Sequence, residues 1–353
     1  MARLPVKRKL RFSHNSGRLR GRRLGLGFIA LALLTFILSL VSAFPGPLVE
    51  AVFSRTIFPR ISEFSGIIAD ALPVAWLDVL LPGAILYIVV CLRRKRWMAI
   101  GVAIGIVYLI FFWSWGINYH RIPLSAKLSI SMDATTSPAM DAFTQQAIQE
   151  INSLSASLQG SSYEPSEIQA LASNRVAHVV EVLDGTRWSA AQRVKTSYLA
   201  NPWFRVAGID GVFNPIVHEP ILSSSIVDVE LPFVMAHELA HVRGYPDEGD
   251  ANFVSIMATI MSDDARLRYS GWLHLWLYLR TRELDAQLDA AARQDLQRIF
   301  DRLRRERIDW ISNVQSAVLD LFLKANSVSE GVKSYSRVVL LIAGTRQSWD
   351  RFK

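Results

Sequence analysis

The sequence predicts a mainly α-helical protein in two parts: three membrane-crossing helices, then a larger α-rich domain with a small β element. Three observations predict this. Apolar residues make up 51% of the 353-residue chain, and the mean hydropathy of +0.22 is high for one with 20% charged residues. Much of that apolarity falls in three runs near the N-terminus. Charge divides the same way: residues 1–116 hold 15 Lys/Arg against 4 Asp/Glu, and the remainder hold 24 against 27.

The runs are LGLGFIALALLTFILSLVSAF (24–44), LPVAWLDVLLPGAILYIVVCL (72–92, with Asp78 inside it) and WMAIGVAIGIVYLIFFWSWGI (97–117). Each is close to the ~20 residues that cross a bilayer. The first reads as an uncleaved anchor, being long and without a clear small-residue cleavage site. A basic tail, 1–23, precedes it, and Arg93, Arg94, Lys95 and Arg96 separate the second run from the third. Positive charge stays on the cytoplasmic side. The three crossings of 24–117 therefore put residues 118–353 outside the cytoplasm.

The net charge of +8 invites a nucleic-acid partner. A nucleic-acid-binding domain carries its basic face on the folded part, which here is mildly acidic, so that class is excluded. The single cysteine, Cys91, excludes an intrachain disulfide and a Cys-rich zinc site.

Beyond residue 118 the periodicity predicts amphipathic helices over 137–158 and 164–184, with TSPAM and EPSE as start signals. Gly and Pro among apolar residues predict short strands and turns over 205–216. Four or five helices follow from about 231 to 326. GWLHLWLYL (271–279) is too short to span and reads as core.

The chemistry gathers in FVMAHELAHVRGYPDEGDANF, 233–253. On a helix, His237 and His241 lie one turn apart on one face, a spacing that lets two imidazoles share a zinc ion, Zn2+. Glu238 beside them is placed to act as general base on water held by the zinc, whose pKa falls toward ~7. Apolar flanks suit a buried helix, and Gly244 is placed to end it in the left-handed conformation. After Pro246 a second helix begins. Glu248 and Asp250 point about 200° apart on it, so only one faces the metal. Asp247 and Asp250 have the spacing of an N-cap and its N3 partner. That leaves Glu248 as third ligand, with Asp250 as the alternative. Asn252, one turn beyond Glu248, is placed to hydrogen-bond a ligand.

HELAH followed by Glu-x-x-Ala-Asn resembles the gluzincin pattern of membrane metallopeptidases of the CAAX prenyl-protease and beta-lactam sensor-peptidase types. In those families the first Glu of the second motif is the third ligand, the position of Glu248 here. Asn252 stands where they usually carry Asp. The chain is still more similar to a bacterial membrane family with three N-terminal spans and an HExxH domain. The similarity lies in WGINYHRIPLS (115–125), GIDGVFNPI (208–216), 231–253 and NSVSEGVKSYSRVVLLIAG (326–344). The resemblance implies a zincin-like domain over 118–353, a multi-pass place in a bacterial cell membrane and a peptidase class, without naming a substrate. It also makes Tyr335 the first candidate to steady a tetrahedral oxyanion, with Tyr245 second.

The stretch before HELAH, GIDGVFNPIVHEPIL, reads either as an edge strand that pairs with an extended peptide or as a core hairpin. His218 reads as a surface or rim residue, and His120, His178 and His274 as packing or solvated. Asp78 reads as functional within a span or as lying near a helix end. The expectation is a zinc metallopeptidase anchored in the lipid bilayer and acting on a peptide or protein substrate, with membrane or cell-envelope proteins in reach. The alternative is a non-catalytic zinc-binding envelope or sensor protein.

Overall fold

The computed structural model describes residues 13–131, 133, 136–188, 192–326, 328 and 338–353. The chain opens with α1 (Ser13–Leu40). The turn α2 (Gly46–Leu48) and a π-helical stretch, Val49–Ile57, lead into α3 (Phe58–Asp70). Then come α4 (Leu77–Arg93), α5 (Trp97–Ser114), the single turn α6 (Leu124–Lys127), α7 (Ser137–Ser157) and α8 (Pro165–Asp184). β1 (Lys195–Thr196), α9 (Asn201–Ala207), β2 (Gly211–Asn214) and β3 (Glu219–Leu222) precede α10 (Leu231–Val242) and α11 (Glu248–Ile260). The described chain ends with α12 (Ala265–Leu279), the turn α13 (Arg282–Asp285), α14 (Ala290–Glu306), α15 (Asp309–Ala325), α16 (Val338–Gly344) and a 3₁₀ turn, Arg346–Phe352. The molecule is mainly helical.

Among the described residues two helices, not the three expected, are long and apolar enough to cross a membrane: Gly21–Leu40 within α1, and Trp97–Ser114. The middle run falls short for a physical reason. Its first residues are held by the folded domain: the Trp76 amide donates to Glu219 and the Trp76 indole to the Ile68 carbonyl. Asp78, at the start of α4, accepts from the Tyr198 and Leu199 amides and the Ser197 hydroxyl. Asp78 is thus a helix-end anchor. The helix that remains has 17 residues and contains Pro82, a length of about 26 Å against ~30 Å of hydrocarbon.

α1 and α5 run side by side in the same direction. A Cβ on Gly25 would meet Val102, one on Gly105 would meet Ala32, and Ser39 bonds His120. Gly101 and Gly105 face α1, and small residues four apart let two helices approach closely. The segment between the first two apolar runs belongs to the folded domain. Phe53 and Phe58 are in its core, and the Ser62 hydroxyl donates to the Val242 carbonyl.

The core is built around α11, buried from Gly249 to Ile260. A helix apolar on all sides needs cover on all sides, and α8, α10, α12 and α16 supply it. Ser255 and Thr259 donate back to the Ala251 and Ser255 carbonyls, which removes the cost of burying their hydroxyls. Gly271 brings α12 close, since a Cβ there would lie 2.2 Å from Thr259 Oγ1. Pro138 and Pro165 open α7 and α8 as the start signals predict.

The sheet has the order β1-β3-β2, with β1 parallel and β2 antiparallel to β3. Among the described residues β2 is therefore an edge strand.

Candidate metal centre

α10 carries His237, Glu238 and His241, and ends where Gly244 takes φ +80°. Beyond its first residue, Leu231, its exposure is at the site. Leu239, Ala240 and Val242 are fully buried, while His237 is 14% exposed. The turn through Tyr245 and Pro246 then brings in α11, whose N-cap Asp247 accepts from the Asp250 amide at 3.0 Å.

This geometry brings His237, His241 and Glu248 together. The two Nε2 atoms lie 3.1 Å apart, and Glu248 Oε2 is 3.1 Å from His237 Nε2 and 3.5 Å from His241 Nε2. One ligand atom from each falls within a 4.8 Å cluster. Asp250 points elsewhere, accepting from the Leu124 amide at 3.1 Å.

The donor set suits a divalent metal of the zinc type. His241 Nδ1 lies 2.7 Å from the Tyr245 carbonyl, a bond that needs the proton on Nδ1 and turns the Nε2 lone pair toward the cluster. The Trp115 indole donates to the His241 carbonyl at 2.9 Å and fixes that turn of helix. Burial opposes charge on His241, yet the Glu248 and Glu238 carboxylates lift it to about 9. Burial likewise opposes charge on Glu248, and the two imidazoles hold it well below the usual carboxylate range. Positive charge on the imidazoles keeps Glu248 ionised although it is buried.

Glu238 sits behind the cluster, 4% exposed. Burial pushes it up to about 7 against the pull of both histidines. Its Oε2 has no hydrogen-bond partner among the described residues. β2 lies directly over it, since a Cβ on Gly211 would be 2.5 Å from Glu238 Oε1. Gly211 is what lets the edge strand approach the HELAH helix.

The cluster opens into a cavity of about 640 Å³ between α10, β2, α12 and α15. Three lining residues were not singled out from the sequence as site residues. Tyr278 lies within 3.5 Å of Asn252 Nδ2, and burial and the Glu248 charge push its phenol up to about 12. Tyr119 is likewise raised well above its usual range by burial and by Glu248 and Asp247. His274, read as packing, lies flat on Phe233 with ring centroids 3.5 Å apart, and burial lowers it to about 3. The i, i+4 spacing of His274 and Tyr278 on an apolar helix was the available signal.

Other expectations need correction. His218 is fully buried between Phe58 and Phe213 rather than at a rim, and its burial lowers it to about 4. Tyr245 turns its hydroxyl to Asp184, away from the cavity. His120, by contrast, packs as expected, buried against Phe44 and Phe112. Tyr335 lies outside the described residues.

A helix-bound pair of imidazoles completed by a carboxylate from the next helix defines the class: a mainly helical protein with an HExxH-type candidate metal centre and two membrane-length helices. Residues 53–343 match the family described as "Protein of unknown function (DUF3810)", and the chain belongs to that family. No curated protein and no solved structure matches it.

Proposed function

We propose that this protein is a membrane-anchored, zinc-dependent metallopeptidase whose site faces away from the cytoplasm. The observation that carries the reading is the convergence of His237, His241 and Glu248, with a buried Glu238 oxygen beside them that has no partner among the described residues. A structural site has no use for a carboxylate kept without a partner in a cavity, because such a group costs stability. A general base has. The likeness to the gluzincin pattern supports the same reading.

His237, His241 and Glu248 would hold the metal, which when bound would supply Lewis acidity. Glu238 takes a proton from the attacking water and passes it to the leaving amine. The peptide lies extended along the free edge of β2, whose N–H and C=O groups have no strand partner on that side among the described residues. Tyr278, with Asn252 against its hydroxyl, donates to the oxyanion.

The membrane arrangement follows from charge and helix direction. α1 and α5 cross the bilayer in parallel, and the Arg93–Arg96 loop lies at the end where α1 carries Arg20, Arg22 and Arg23. That end is cytoplasmic. Both helices then deliver the chain to the domain on the other side, and the parallel pair requires a return between them in sequence, for which α4, though short of a full hydrocarbon thickness, is the segment at hand.

Glu238→Gln tests the reading. It keeps the ligands and removes the base, so metal content should match wild type while hydrolysis of a peptide library falls by ~10²- to 10⁴-fold. Equal hydrolysis in the variant contradicts the assignment.

A further inference from the structure

α15 has two working faces. Ser312, Gln315, Ser316 and Leu319 line the same cavity as His237 and Glu238. On the opposite side Trp310, Val314, Val318 and Leu321 are 68%, 52%, 58% and 70% exposed. At 100° per residue these four fall within about 80° of one another. Asn313, Asp320 and Lys324 flank the stripe on one side, and Lys324 pairs with Asp320 at 2.6 Å. An apolar stripe of this size on a folded domain marks a surface that something covers.

What covers it is shown by what adjoins it. At its C-terminal end α15 meets the end of α5: the Phe322 and Phe111 ring centroids are 5.8 Å apart. At its N-terminal end it meets α9, where the Ile308 amide donates to the Val206 carbonyl at 2.8 Å. α9 and the residues before it expose Trp203, Tyr198 and Leu199. The Tyr198 and Leu199 amides in turn cap Asp78, where α4 leaves the domain. One end of α15 is therefore fixed where a membrane-length helix enters the domain. The other is fixed, through α9, where the chain departs along α4. A helix held at two such points runs along the bilayer surface. Exposed Trp and Tyr with an apolar stripe and a Lys at its edge are the composition of an interfacial helix.

We propose that the outer face of α15, with Trp203 and Tyr198 beside it, lies in the headgroup layer of the bilayer that α1 and α5 cross, so that the cavity opens along the membrane surface. The consequence for substrate rests on the hydrolase reading above: a polypeptide tethered in the same bilayer, cut in the stretch just outside it.

The test uses the full chain in vesicles of phosphatidylcholine and phosphatidylglycerol. Val314→Cys and Leu321→Cys are each labelled with an environment-sensitive fluorophore, with Gln149→Cys on the exposed side of α7 as control. Cys91 is 4% exposed, so the unsubstituted protein reports background labelling. Lipids carrying a nitroxide near the headgroup should quench positions 314 and 321 and leave 149 unchanged. Access of aqueous iodide to 314 and 321 equal to that at 149, without lipid quenching, overturns the proposal. So does energy transfer between labels at 314 on different molecules, which assigns the face to a second copy of the chain. The quenching is also read in the Glu238→Gln background, where hydrolysis plays no part, so it stands or falls apart from the hydrolase reading.

Discussion

Two buried polar clusters meet at Tyr245, and they are built in opposite ways. Its carbonyl orients His241 in the candidate metal centre, while its hydroxyl bonds Asp184 in a cluster with Glu50, Arg121 and Lys127. In the second cluster the charges are matched. Arg121 grips Glu50 with two nitrogens, reaches Asp184 at 2.7 Å and the Gly244 carbonyl at 2.7 Å, and lies over the Tyr245 ring. In the first, two imidazoles and a carboxylate converge on one point, and Glu238 keeps an oxygen without a partner among the described residues. Burying polar groups is tolerable when every partner is present. A matched cluster fixes a shape; an unmatched, convergent one is held by that shape for use. Arg121 supports the candidate metal centre from a distance, by holding the turn that ends α10.

The comparison is broken most directly at Arg121. Arg121→Ala leaves Glu50 and Asp184 buried with their principal counter-charge gone and should destabilise the domain by about 3–5 kcal/mol in denaturant unfolding. A loss below about 1 kcal/mol would mean the cluster is not structural.

In the candidate metal centre the expected effect is on rate. Tyr278→Phe should leave unfolding unchanged and lower kcat by ~10²-fold, the cost of one oxyanion donor. Unchanged kcat would remove Tyr278 from the mechanism.

Acid titration sharpens the contrast. Burial alone would raise Glu50, but Arg121 and Lys127 hold it down at about 2, against 4.5 unperturbed. A carboxylate whose pKa is depressed by folding stabilises above its unfolded pKa, and that contribution is lost as pH falls through the folded value. Stability should therefore decline from about pH 4.5 toward 2, and Glu50→Gln should flatten that limb. An acid limb identical in the variant would contradict the pairing.

The smallest effect is expected at Asp250. Asp250→Ala removes the acceptor for the Leu124 amide, which should cost ~1 kcal/mol and leave metal content unchanged.

Much of this was legible in the sequence because it is local. The one-turn spacing of His237 and His241, the Gly244 stop and the Asp247 cap are all set within a few residues. So was the division between Glu248 and Asp250, because 200° of helix separates their directions. What lay beyond reach depends on distant chain. Gly211 reads as a turn glycine until β2 is laid on Glu238. Tyr278 and Tyr119 join the cavity only when α12 and the start of the domain pack on α10. Asp78 looked like a charge within a span, and its partners, Ser197 to Leu199, lie well over a hundred residues away. Hydropathy counted residues 72–76 into a span because it cannot see that the domain holds Trp76.

Metal analysis of the purified full chain tests the central claim most directly. One equivalent of zinc per chain in the wild type, in Glu238→Gln and in Asp250→Ala, and its loss in His237→Ala and Glu248→Ala, is the outcome the account predicts. A wild type that binds none, or a Glu248→Ala variant that keeps its metal while Asp250→Ala loses it, would contradict it.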